Sequence, residues 1–358
     1  MRAAVIAPPW FKIPPKGYGG IEVVIYLLVE GLVDRGHEVT LCTVATSSTR
    51  AAMHTVFDDE MKAYLDAPPS SFLNVALTHA LDCYKAIPAG GIDIVHDHTW
   101  KEGLLAAAFL DIPVVHTVHG PFNEQNKRFY GLFKDNGQVH FVTISDFQWK
   151  CLPGLNYAGT VYNGILLENY PYTEEKEDFY FYMGRFNEEK APHLACQVAK
   201  ELGAKLILAG KVHEEEERRY FNRRIIPFLS SDIQFVGELG QWSQEKLSFF
   251  SRAKGYLYPI QWDEPFGITM AEAMACGTPV VAFRRGAAAE VVEHESTGFV
   301  VETMEQFFDA AQRVHEIEPR KCRERVERMF TAETMVGGYE SVYRKMLDAK
   351  RKENETGR

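Results

Sequence analysis

Along this 358-residue chain, apolar runs of strand length alternate with helical patterns, and the cycle runs twice. "RAAVIAP" (2–8) is an unbroken apolar run of buried-strand length, followed by a Pro/Gly-rich loop from Pro8 to Gly20. Residues 21–34 carry Val24, Leu27, Leu28 and Leu32 at helical spacing and stop at Gly36, and "HEVTLCTVA" (37–45) is the next strand. Further strands are expected at 92–98, 113–120 and 140–145. A second cycle opens after the irregular acidic stretch 164–178, with a strand at 179–184, a helix at 191–202 and strands at 205–210, 232–236, 255–259 and 279–283. Strands that alternate with helices build doubly wound parallel sheets, and such sheets bind ligands at the carboxyl ends of their strands. The expectation is α/β, with two similar doubly wound domains and one cleft between them. A last periodic segment, 331–347, follows Thr331 as a candidate helix cap, and the charged tail from Lys350 is expected to fray.

The most informative local run is EPFGITMAE, in which Glu264 and Glu272 stand eight residues apart. Pro is favoured at a first helical position, so a helix is expected from Pro265, with Glu264 at its mouth and Glu272 two turns inside. The two carboxylates would then lie roughly 12 Å apart along the axis. Paired carboxylates acting on one glycosidic bond stand closer, at about 5–9.5 Å. The longer spacing suits a ligand with hydroxyls at both ends and an anion between them, with backbone N–H groups near Phe266 and Gly267 facing it. Hexose, diphosphate and ribose have that order.

Charge narrows the partners. The net charge is −10, and residues 1–165 hold 12 Lys and Arg against 16 Asp and Glu, so no nucleic-acid footprint is expected and association with an anionic membrane is disfavoured. Arg218, Arg219, Arg223 and Arg224 form the densest basic cluster, and helical spacing pairs them with Glu214–Glu217. The six cysteines are scattered without a C-x-x-C pair, and the N-terminus enters a strand directly, so a reducing cytoplasmic setting is expected.

Loops at strand ends supply the remaining candidates. "GRFNEEK" places Arg185 and Lys190 after the first strand of the second domain, a fork and a point charge suited to a diphosphate. "KGYGGIE" (16–22) sets Gly17, Gly19 and Gly20 before a helix, where backbone can approach an anion. Its spacing is not G-x-G-x-x-G, and the second strand ends in "TVATSS" without an acidic residue, which argues against a dinucleotide-dependent oxidoreductase. His96 and His98 flank Asp97, and His116 and His119 lie around the next strand end, without the helical i, i+4 spacing of a metal pair. No Asp-x-Asp occurs, so charge neutralisation by Arg185, Lys190 and helix dipoles is expected in place of a metal, with no cofactor. Trp10, Phe11, Trp100 and Phe122 could either stack on an acceptor or pack down.

These motifs together resemble a known family, the retaining GT-B glycosyltransferases of family 4, also described as glycosyl transferases group 1. The resemblance rests on GYGG (17–20), VHG (118–120), VYNGI (161–165), MGRFNEEK (183–190), EPFGITMAEAMACGTPVVA (264–282) and GAAAEVVEHESTGFVV (286–301). It implies two Rossmann-like domains, an acceptor-side one at 1–165 and a nucleotide-sugar one at 166–335. A C-terminal helix and tail, 336–358, would cross back to the first. It implies His119, Arg185, Lys190 and Glu264 as catalytic residues and Gly19, Gly20, Phe266, Gly267, Ile268 and Glu272 as donor contacts. Glu264 would hold hexose hydroxyls, Glu272 the ribose, and Arg185 with Lys190 the diphosphate. The activity implied is metal-independent hexosyl transfer, glucose from UDP, to a small-molecule or glycan acceptor. The alternatives are a non-catalytic sugar-nucleotide-binding protein and a GT-B epimerase or phosphorylase. One departure from the pattern is Ala191, where the family often has glycine.

Overall fold

A computed structural model describes residues 1–87, 91–107 and 110–356. The chain divides into two compact units, one of Met1–Pro15, Gly19–Gly164 and Ala332–Arg358, the other of Lys16–Tyr18 and Ile165–Thr331.

The first unit is built on seven strands: β1 (Arg2–Ile6), β2 (Glu38–Thr43), β3 (Ala52–Thr55), β4 (Ile94–Asp97), β5 (Val114–Val118), β6 (Val139–Thr143) and β7 (Tyr157–Thr160). They lie in the order β3-β2-β1-β4-β5-β6-β7, all parallel. The second unit has six: β8 (Glu177–Met183), β9 (Lys205–Ala209), β10 (Ile233–Phe235), β11 (Ala253–Tyr258), β12 (Val280–Phe283) and β13 (Gly298–Val301). Their order is β10-β9-β8-β11-β12-β13, again parallel throughout. Parallel sheets are covered on both faces, which is why β4, β5, β12 and β13 are buried at every position.

In each sheet the strand order reverses once, between β1 and β4 in the first unit and between β8 and β11 in the second. Loops leaving adjacent strands at such a point turn to opposite faces and open a crevice beyond the carboxyl ends. Four loops are therefore marked by topology alone. They follow β1, β4, β8 and β11.

Three strands escaped the periodicity argument. β3 is largely exposed, β7 contains Gly159, and β13 has only four residues. The long last helix, Ala332–Thr356, belongs to the first unit, where it packs on the helix Gly20–Asp34. There Gly31 leaves room for a branched side chain, since an added Cβ would lie 2.6 Å from Val336 Cγ2. The helix runs through Lys350 to Thr356, and residues 357–358 lie outside the described set.

Candidate active site

In the second unit, the loop after β8 carries Arg185 and Lys190, and the loop after β11 carries Glu264. Topology thus brings the two sequence motifs to one crevice although 74 positions separate Lys190 from Glu264. Tyr182 at the end of β8 donates to the Arg185 carbonyl at 2.9 Å, and Asn187 Oδ1 accepts the Lys190 N–H at 2.9 Å. Ala191, the N-cap of the helix Pro192–Leu202, has φ 47°, a left-handed conformation that suits the glycine the family resemblance implies there.

Both cations are held by carboxylates. Arg185 donates from Nε to Glu217 Oε1 at 2.8 Å and from a terminal nitrogen to Glu214 Oε2 at 2.7 Å, and Lys211 reaches the other Glu214 oxygen at 2.7 Å. Burial works against the Arg185 charge, but these carboxylates win and its pKa is raised. Glu214 and Glu217 were expected to pair along their own helix. Instead they turn to Arg185, and Arg219 pairs with Glu215 alone among the four. Lys190 pairs with Glu264, whose Oε2 also accepts from Tyr258 at 2.7 Å and from Trp262 at 3.0 Å. The Lys190 ammonium lies 4.9 Å from the Trp262 ring centroid. Burial and the neighbouring Glu264 raise the Tyr258 pKa well above its usual value, so this hydroxyl stays a donor.

The Glu264 loop is clamped from β12. Ala287 N–H donates to the Glu264 carbonyl at 2.8 Å, and Gly286 sits so close that a Cβ would fall 2.2 Å from the same oxygen. Only glycine fits there, with φ 55°. The helix starts at Ile268, not Pro265, because Gly267 at φ 80° serves as its N-cap. Glu264 consequently lies in the preceding loop and Glu272 just over one turn into the helix. The spacing of the two along one helix axis does not hold. Gly267 and Ile268 N–H groups donate to no carbonyl or side chain among the described residues, leaving the amino end of this eight-residue helix open to an acceptor. Phe266 is buried and packs edge-on against Phe330.

Glu272 is almost wholly buried, and three donors converge on its Oε1: Tyr170 at 2.6 Å, Lys246 at 2.8 Å and Gln241 at 3.2 Å. None of the hydrogen bonds of the described residues reaches Oε2. Sequence reasoning missed these partners, along with Tyr258, Trp262 and Glu217. A signal existed for Lys246, which shares the buried face of the helix Gln244–Arg252 with Phe250 and so requires a counter-charge.

The first unit places other chemistry at its switch point. Gly19, φ 152°, is the N-cap of the helix that Gly20 opens, and a Cβ on Gly20 would meet nothing within 4 Å. Glu22 in that first turn is buried, and burial pushes its carboxyl up to about 7. After β4 and β5, His98 Nδ1 and His119 Nε2 lie 2.8 Å apart. Burial holds His119 down at about 3, so the ring is neutral. Asp97 is spoken for by Thr99 and Tyr84. Trp10 stacks on Phe72 at 4.5 Å, and Phe122 meets Tyr130 edge-on. These two aromatics pack down, whereas Trp100 stays 52% exposed.

Residues 171–329 match the family described as Glycosyl transferases group 1, and residues 18–146 match Glycosyltransferase Family 4. The chain belongs to the group 1 glycosyltransferases. Among curated relatives of this glycosyltransferase is the D-inositol 3-phosphate glycosyltransferase of Pseudarthrobacter chlorophenolicus, 23% identical over 79% of this chain and 78% of the relative. Sucrose-phosphate synthase from Thermosynechococcus elongatus superposes with a TM-score of 0.80 at 20% identity, covering 97% of this chain and 99% of that one. Anabaena HepE in complex with UDP and glucose gives 0.71 at 16% identity, over 96% of this chain and 100% of the other. At these identities the structures speak for the fold, which is GT-B. Among the described residues of the glycosyltransferase, no helix is long and apolar enough to cross a membrane.

Proposed function

We propose that this glycosyltransferase moves a hexose from a nucleoside diphosphate sugar to an acceptor hydroxyl, with retention at the anomeric carbon, and that glucose on UDP is the donor. The observation that carries the reading is the set of paired ions at the β8/β11 switch point. Arg185 is paired with two carboxylates and Lys190 with one, so an incoming diphosphate exchanges anionic partners within prearranged donors. Displaced from Lys190, Glu264 keeps Tyr258 and Trp262 as donors and can accept hexose hydroxyls. The N–H groups of Gly267 and Ile268, with Phe266 beside them, complete the sugar end. Glu272 has its Oε1 filled, which leaves Oε2 to accept the two ribose hydroxyls.

Gly19, Gly20 and His119 of the first unit take the roles the family resemblance implies, a phosphate contact for the glycines and a sugar contact for the histidine. In the reaction the bond from the anomeric carbon to the β-phosphate oxygen breaks as the acceptor oxygen bonds to the same face. The departing phosphate takes the acceptor's proton, and Arg185 and Lys190 stabilise its growing charge. Neither glutamate then acts as acid or base. The UDP and glucose in the Anabaena structure support the choice of donor.

A thermal-shift panel of nucleoside diphosphates and their sugars tests the reading, because a ligand that binds only the folded state raises apparent stability by mass action. The UDP sugars should give the largest shift, and proton NMR of the product should show the donor's anomeric configuration. A flat panel, or an inverted product, would reject it.

A further inference from the structure

We infer that His98 is a positioning residue that fixes His119 as the tautomer protonated on Nδ1, so that His119 works as a neutral hydrogen-bond donor and does not relay protons. The inference rests on the sugar-contact role proposed above for His119.

The first observation is the 2.8 Å contact between His98 Nδ1 and His119 Nε2, the rings stacked with centroids 5.1 Å apart. One of these two nitrogens carries the hydrogen and the other accepts it. The second observation decides between them. His98 is wholly buried and its Nε2 has no partner. If His98 were protonated on Nε2, that N–H would be an orphaned buried donor. With the proton on Nδ1, the orphan is a lone pair, which is the better tolerated of the two. His98 therefore donates from Nδ1, His119 accepts at Nε2, and the neutral His119 ring must hold its proton on Nδ1. No hydrogen bond among the described residues uses His119 Nδ1, so this N–H is the group available to a ligand.

The same sheet edge supplies a precedent. His79 Nε2 lies 2.8 Å from the Ala7 carbonyl, which can only accept, so the unpartnered Nδ1 of His79 is a bare lone pair. His98 is itself held in place. Its ring lies 3.9 Å from that of His96, which is pinned by Thr117 Oγ1 at 2.7 Å and by the Tyr343 hydroxyl of the last helix. The groups facing the pair are His96, His116, Asp97 and Tyr339. The histidines among them oppose a positive charge, and Asp97, the one carboxylate, is engaged by Thr99 and Tyr84. Burial outweighs it, so both rings of the pair stay neutral through the physiological range.

Long-range proton–nitrogen NMR of the uniformly 15N-labelled full chain reads the tautomer, with His119 assigned by comparison with His119→Gln. The expected result is a proton on Nδ1 that persists from about pH 5 to about pH 9, across the ordinary imidazole pKa. A proton on Nε2, or titration of His119 within that range, overturns the inference. His98→Asn keeps a donor at the Nδ1 position and should preserve both the tautomer and kcat/KM. His98→Leu should release the tautomer and lower kcat/KM roughly threefold to tenfold, the loss of one neutral hydrogen bond. An unchanged His119 spectrum in His98→Leu contradicts the positioning role. Should His98→Leu fail to fold, the parent spectrum and the Asn variant decide alone. If the tautomer is as stated but UDP-glucose leaves the His119 signals unmoved, the proposed sugar contact fails and the tautomer assignment stands.

Discussion

The two sheets share one topology and one kind of switch point but fill it with opposite electrostatics. At β8/β11 the polar groups are ions in pairs: Arg185 with Glu214 and Glu217, Lys190 with Glu264, Lys246 with Glu272. At β1/β4 they are neutral rings and a protonatable acid: His96, His98, His119 and Glu22. An oriented cation meets a charged ligand without reorganisation, provided the carboxylate it releases keeps other donors, as Glu264 keeps Tyr258 and Trp262. The neutral rings bring no charge of their own, and no hydrogen bond among the described residues uses the Nδ1 of His119. The contrast places the paired cations in the second unit, while the first unit offers the backbone at Gly19 and Gly20 and the neutral His119 ring.

The largest effect that tests this contrast concerns Lys246, whose side chain and that of Glu272 are each 1% exposed. Lys246→Met strands a buried carboxylate and should destabilise the second unit by about 3–5 kcal/mol in chemical denaturation. Adding Glu272→Gln should restore most of the loss, and an unshifted midpoint in the single variant would break the paired-ion account. Slightly smaller in free energy, Lys190→Ala should lower turnover roughly a hundredfold to thousandfold, about 3–4 kcal/mol of transition-state stabilisation. Turnover near that of the parent would remove Lys190 from the chemistry.

Acid separates the units by a third route. His79 is held at about 4 and His119 at about 3 by burial, both below the ordinary histidine value of about 6.5. Between those values the unfolded chain binds more protons than the folded one, so stability rises with pH and is lost as pH falls from about 6.5 toward 3–4. Residue-resolved hydrogen exchange at descending pH should show β4 and β5 losing protection before β11 and β12, and the reverse order would contradict the assignment. The smallest effect is at the surface. Arg219 and Glu215 are both largely exposed, and Arg219→Ala should change stability by less than about 1 kcal/mol.

Sequence patterns located most of the sheet and the motif loops, because buried parallel strands are continuous apolar runs and the helices between them are periodic. The edge strand β3 carries no such pattern, being largely exposed. At the candidate site, the motifs proposed Glu264, Glu272, Arg185 and Lys190, and the strand order brings Lys190 to Glu264. Their partners were not legible, because Glu217, Tyr258, Tyr170 and Lys246 come from separate elements that only the strand order brings together. The start of the helix at Ile268 was missed for a local reason. Pro265 can open a helix, but the positive φ of Gly267 two residues later resets it. His98 read as one of several histidines near a strand end, and only its unpartnered Nε2 gives it a direction.

The central claim is that the β8/β11 crevice holds a nucleoside diphosphate through Arg185. Calorimetric titration of UDP into the parent chain and into Arg185→Gln tests it directly. The account predicts saturable binding to the parent and affinity at least about tenfold weaker in the variant, as expected for the loss of a hydrogen bond to a charged group. Equal affinity in the two chains, or no UDP binding by the parent, would contradict it.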